Sequence, residues 1–154
     1  MPQIKSTPEQ IEKFTAFAEA KETYFKARAL WECLKDSKKA FQATPQMVEI
    51  SKSLELAANT QPRNEATINA IIEMDVELDS QWEVDHQYWP AFDLLSQAEE
   101  LLFDTALACM EVTGHDQRMI AGGVNKAMFI KAKKYHPLSY PKLIEICAKF
   151  NPNL

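Results

Sequence analysis

Only three of the 154 residues are glycine, and several of the eight prolines fall where helices start or stop. That combination points to an all-α chain. Pro8 follows Thr7 and Pro45 follows Thr44. In both places Thr suits the N-cap and Pro the first helical position. A first helix is predicted from about Pro8 toward Leu34 or beyond. Its apolar residues Ile11, Phe14, Phe17, Ala18, Phe25 and Trp31 recur at the spacing of a buried stripe. Lys35, Lys38 and Lys39 suit its C-terminal end, where the helix dipole favours cations. A second helix spans about Pro45 to Ala58, with Met47, Val48, Ile50, Leu54 and Ala57 inward. Asn59 to Pro62 reads as the loop that ends it.

The stretch Ile72 to Asp79 alternates apolar and acidic residues, which is a strand signal. Helix is nevertheless the expectation. No second strand candidate exists to pair with it, and Asp and Glu disfavour strands. The wider set Ile68, Ile71, Met74, Leu78 and Trp82 has helical spacing. A fourth helix is predicted from near Pro90 to Gly114, a C′ residue. Phe92, Leu95, Leu102, Phe103, Ala106 and Met110 line one side of it, and Leu94, Leu101, Ala108 and Val112 widen the stripe. A fifth runs from Asp116 to Tyr135 across Gly122-Gly123, and Pro137 ends it. The last opens at Ser139, with Leu143, Ile144, Ile146, Cys147 and Phe150 inward.

The expected architecture is therefore a single-domain antiparallel bundle of five to six helices over residues 1–154, with disordered ends at about 1–6 and 151–154. An apolar content of 46% excludes intrinsic disorder. No 18-residue apolar run is present to span a membrane. The polar stretch Met1 to Thr7 has no apolar core of a secretory signal. Cys33, Cys109 and Cys147 are odd in number and widely spaced, which suits buried free thiols. A cytoplasmic location is the expectation.

Charge is distributed unevenly. Between Asn64 and Gln117 there is no Lys or Arg, yet thirteen acids occur; residues 1–63 carry a net +2 and residues 118–154 a net +6. Such asymmetry bears on partners rather than on fold. Glu73 and Glu77, Asp75 and Asp79, and Asp79 and Glu83 are i,i+4 like-charge pairs, each costing a few tenths of a kcal/mol in an isolated helix. Another segment balances them, or a positive partner meets them. Lys126, Lys131, Lys133 and Lys134 form a basic counterpart within the chain. A nucleic-acid patch there is not expected from a chain of pI 5.2 without a binding motif.

Candidate chemistry is sparse. Glu83 and His86 make one Glu-x-x-His, whereas carboxylate-bridged di-metal bundles use two. They remain only weak metal candidates. His115-Asp116 has no accompanying nucleophile, and His136 beside Pro137 suits a helix end. Trp82, Tyr88, Trp89 and Phe92 form a dense aromatic group, either packed at an inter-helix corner or partly exposed as an interface anchor.

The expected function is a small acidic protein-binding module without catalysis, of the inhibitor, immunity, anti-defence or adaptor kind. Glu73, Asp75, Glu77, Asp79, Trp82, Glu83, Asp85, Tyr88, Trp89 and Asp93 are its candidate contacts. The expected partner is another protein with a basic surface, one that itself binds nucleic acid being a special case. No cofactor, direct nucleic acid or membrane is expected. The alternatives are a carboxylate-rich metal-binding bundle, as enzyme or store, and a homo-oligomeric structural subunit.

Overall fold

The computed structural model describes residues 6–114, 126–135 and 140–153. The fold is an all-α helical bundle, with six helices and no strand among the described residues. They are α1 (Pro8–Gln42), α2 (Pro45–Asn59), α3 (Glu65–Asp85), α4 (Tyr88–Thr113), α5 (Lys126–Tyr135) and α6 (Tyr140–Lys149).

Local chemistry sets most of the boundaries. At the start of α1, Thr7 Oγ1 accepts the Gln10 N–H and Gln10 Oε1 accepts the Thr7 N–H. This reciprocal capping box satisfies two backbone donors that the helix leaves open. Thr44 departs from the expected side-chain cap. Its position is N-cap and Pro45 follows, but its hydroxyl donates back to Phe41 O at 2.7 Å. Thr44 is still the N-cap of α2, its carbonyl accepting the Val48 N–H at 3.0 Å, while its hydroxyl closes α1. Asn64 caps α3 by accepting the Thr67 N–H at 3.2 Å. Gly114 follows α4 with φ +72°, the left-handed conformation of a C′ glycine.

The segment Ile72 to Asp79 lies wholly within α3, as the helical spacing predicts. α4 opens at Tyr88, two residues before Pro90. Pro90 then occupies the first turn, where its missing N–H has no intrahelical partner to lose.

The chain divides into two compact units. One comprises residues 1–27 and 94–154, the other residues 28–93, so α1 and α4 each contribute to both. In the first unit the core is built from Phe17, Ala20 and Tyr24 of α1, Leu102, Phe103, Ala106 and Met110 of α4, Phe129 of α5, and Leu143, Ile144 and Cys147 of α6, with Phe150 behind. Phe103 meets Phe129 edge-on and lies beside Tyr140. Gln10 Nε2 also donates to Val112 O, tying the first turn of α1 to the last turn of α4.

Several expected stripes are narrower in the structure. Ile11, Ala18 and Phe25 are exposed, because the inward row of α1 is Phe17, Ala20 and Tyr24. On α4, Phe92, Leu94 and Leu101 are exposed, and Ala98 and Cys109 supply buried positions instead. Val48 is exposed on α2. Cys33 is an exposed free thiol, contrary to the expectation for all three cysteines, while Cys109 and Cys147 are buried. Burial raises their thiol pKa values from 9.0 to about 11 and about 12.

His115, Asp116, Gly122, Gly123, His136, Pro137 and Ser139, named in the sequence reading, lie outside the described residues, as do the side chains of Lys126 and Lys133. Lys131 and Lys134 are exposed on α5.

Candidate functional site

In the unit of residues 28–93, α2 and α3 pack along each other, and the C-terminal part of α1 joins them. The buried apolar residues here are Met47, Ile50, Ile68, Trp82, Tyr88 and Ala91. Trp82 is the hub. Its ring stacks on His86 at 4.2 Å and on Phe41 of α1 at 5.7 Å, and meets Tyr88 edge-on at 6.0 Å. Trp31 of α1 packs against both Tyr88 and Phe92.

α3 carries acids on its inward side. Ile68 and Trp82 are buried and Ile71 and Leu78 half-buried, but Asp75 and Asp79 are half-buried too. Met74, expected inward, is exposed. Carboxylates on a packed helix face need a cation or donors to offset the hydration they lose. Lys38 of α1 supplies one. Its Nζ lies 2.7 Å from Glu83 Oε1 and 3.8 Å from Asp79 Oδ2. The side chains of Lys38 and Glu83 are 17% and 16% exposed, which shields the pair from solvent screening. The ammonium also stands 4.6 Å over the Tyr88 ring.

The other oxygen of Glu83 accepts the Trp89 indole N–H. Glu83 therefore ties α1 to the first turn of α4. The Lys38 hydrogen bond is the main reason its pKa falls below the ordinary carboxylate value, against the opposing effect of burial. For Lys38, burial by itself would lower the pKa. The Glu83 hydrogen bond and the charges of Asp79 and Glu83 together outweigh it, and the net shift is upward. Asp79 Oδ1 is buried with no hydrogen-bond partner. Its other oxygen is held by charge alone at 3.8 Å.

The sequence-predicted contacts thus separate into three groups. Trp82 and Tyr88 are core residues. Asp79 and Glu83 are engaged with Lys38, and Asp75 is half-buried beside them on the same helix side. Glu73, Glu77, Asp85, Trp89 and Asp93 are exposed. Asp85 accepts a hydrogen bond from Gln81. Among the described residues, no Lys or Arg lies within ion-pair distance of Glu73, Glu77 or Asp93. Trp89 is 53% exposed despite its bond to Glu83, and neighbouring Phe92 is exposed as well.

The weak metal pair is committed to other bonds. Both Glu83 oxygens are occupied, and His86 Nδ1 lies 2.8 Å from Trp82 O. The adjacent Lys38 ammonium also repels a cation. Among the described residues, no three His, Cys, Asp or Glu side chains group as a metal set.

Lys38 is the residue that sequence reasoning missed, having been assigned to the dipole of its own helix. Its place on the same helix side as Trp31 and Leu34, at spacings of seven and four, was the available signal. Comparison with protein-family models, curated protein sequences and solved structures finds no match for this chain.

Proposed function

We propose that this chain is a small acidic binding module, without a catalytic step, that meets the basic surface of another protein through its middle segment. It is a protein of the inhibitor, immunity, anti-defence or adaptor kind. The observation that carries this reading is the contrast between the two groups of acids. Asp79 and Glu83 have Lys38, while Glu73, Glu77 and Asp93 are exposed with no base at ion-pair distance among the described residues. Lys38 thus accounts for part of the acidic excess and leaves the solvent-facing part available. Exposed charges of one sign steer a partner of the opposite sign and set its register.

Trp89 supplies the anchor. An exposed indole at the edge of an acidic surface pairs a large apolar face with charge guidance, the composition of an interface hot spot. Its bond to Glu83 restrains the ring before any partner arrives, so less side-chain freedom is lost on binding.

The test is affinity capture from lysate of the source cells, followed by affinity measurement on the isolated pair. The wild-type chain should retain a protein with a basic surface at low salt and release it at high salt. The Glu73→Lys/Glu77→Lys variant should fail to retain it. A retained protein with equal affinity for both chains would refute the reading.

A further inference from the structure

The solvent side of α3 has a second feature beside its charge. Residues 72, 76, 80 and 84 form one i,i+4 ridge, which winds about 120° around the helix between its ends. Ile72, Val76 and Val84 on that ridge are all exposed, Val84 at 72%, and Ser80 between them is exposed too. Glu73 and Glu77 form the adjoining line. β-Branched residues are poor helix formers, and at exposed positions they gain nothing from burial. Polar helix formers would serve an idle face better. The acids beside them add a like-charge pair one turn apart, with no base at ion-pair distance among the described residues.

We infer that this face of α3 docks one helix of a partner protein, a helix whose apolar stripe is bordered by Lys or Arg. The inference rests on the proposed binding function and gives it a seat and a partner chemistry. The Ile72, Val76 and Val84 line takes the apolar stripe, as in helix-on-helix recognition at i,i+4 spacing. The Glu73 and Glu77 line takes the basic border. Charge complementarity selects this occupant over a second copy. In a two-fold pairing of the face with itself, residues of one patch meet residues of the same patch. Where the two helices run antiparallel in such a pairing, the Glu73 and Glu77 lines of the two copies fall on one side and crowd together, which like charges disfavour.

The probe is a synthetic amphipathic helical peptide, with Leu at i,i+4 spacing and Lys on both borders. A scrambled peptide of identical composition is its control. Fluorescence anisotropy with the full chain at low salt should show the patterned peptide binding at least about tenfold tighter than the scrambled one. Ile72→Ser/Val76→Ser should remove about tenfold of that affinity. Val84→Ser, at the most exposed of the three apolar residues, should weaken binding without disturbing the fold. Glu73→Gln/Glu77→Gln should weaken it and flatten its salt dependence. If the serine variants bind as wild type while the glutamine variant is weakened, the docking inference is overturned and the charge-guided reading stands. If neither class of variant changes affinity, both are overturned. A solution mass that is doubled in wild type and halved by Ile72→Ser/Val76→Ser would overturn the inference in favour of self-association.

Discussion

Lys38 Nζ lies 2.7 Å from Glu83 Oε1, across 45 residues of sequence, and joins α1 to the acidic helix α3. Both side chains are largely shielded from water, so the pair differs from a surface ion pair in what its loss does. Removing one member leaves the other charge partly buried without its partner. Lys38→Met should destabilise the fold by about 2 kcal/mol, since Asp79 and Glu83 both lose their cation. Replacing both members, as Lys38→Met/Glu83→Leu, should recover part of that loss. Urea denaturation of the two singles and the double gives the coupling; strict additivity would show that the pair does not interact.

The same pair shapes the response to pH. Glu83 has a folded pKa below its ordinary 4.5. Its contribution is present above pH 4.5 and is lost as pH falls through the lower folded value. Lys38 has a folded pKa above 10.5, so its contribution is complete below pH 10.5 and is lost as pH climbs through the higher folded value. The buried thiols act in the same direction as Lys38, from pH 9.0 upward, because the unfolded chain ionises them first. Denaturation midpoints should therefore form a plateau between about pH 5 and pH 9 and fall on both sides. Glu83→Gln should make the acid limb shallower; an unchanged limb would detach it from this carboxylate.

The two indoles around Glu83 should behave oppositely on substitution. Trp82 is buried among Phe41, His86 and Tyr88, and Trp82→Ala should cost about 3–5 kcal/mol. Trp89 is exposed, and Trp89→Phe removes its donor while keeping an aromatic ring. That change should cost about 1 kcal/mol. Thermal or urea unfolding of both variants checks the order, and equal losses would contradict the separation of core from surface.

Thiol accessibility follows burial. In the folded chain a disulfide-exchange reagent should label Cys33 rapidly and leave Cys109 and Cys147 unreacted, with all three reacting in denaturant. The Cys109 thiol also donates to Lys13 O, and both buried thiols are held protonated at neutral pH. Rapid reaction of more than one thiol in native buffer would contradict the packing.

The helical class was legible because few glycines, helix-starting prolines and 3–4 apolar spacing all agree. The helix over Ile72 to Asp79 was legible for a related reason: no partner strand existed and acids disfavour sheets. The inward side of α3 was legible too, since Ile68 and Trp82 of the expected stripe are buried and Ile71 and Leu78 half-buried, but the acids that share that side were not. Its apolar residues do not form one clean stripe, since Asp75 and Asp79 take half-buried positions while Ile72, Met74 and Val76 are exposed. The reason lies on another helix, in Lys38, whose charge makes an inward Asp79 tolerable. Spacing along a single helix carries no record of a cation 45 residues away. Thr44 is the expected N-cap, but that its hydroxyl serves the helix before it rather than the one after was not legible, since it can do either. In the aromatic group, Trp82 and Tyr88 are buried while Trp89 is exposed, so the group divides between core and surface.

The most direct test of the central claim is the salt dependence of partner affinity for wild type and for Glu73→Gln/Glu77→Gln. The account predicts that wild-type affinity falls steeply between low and high salt, while the variant binds more weakly at low salt and changes less. Equal affinity for the two chains, unchanged across that range of salt, would contradict it.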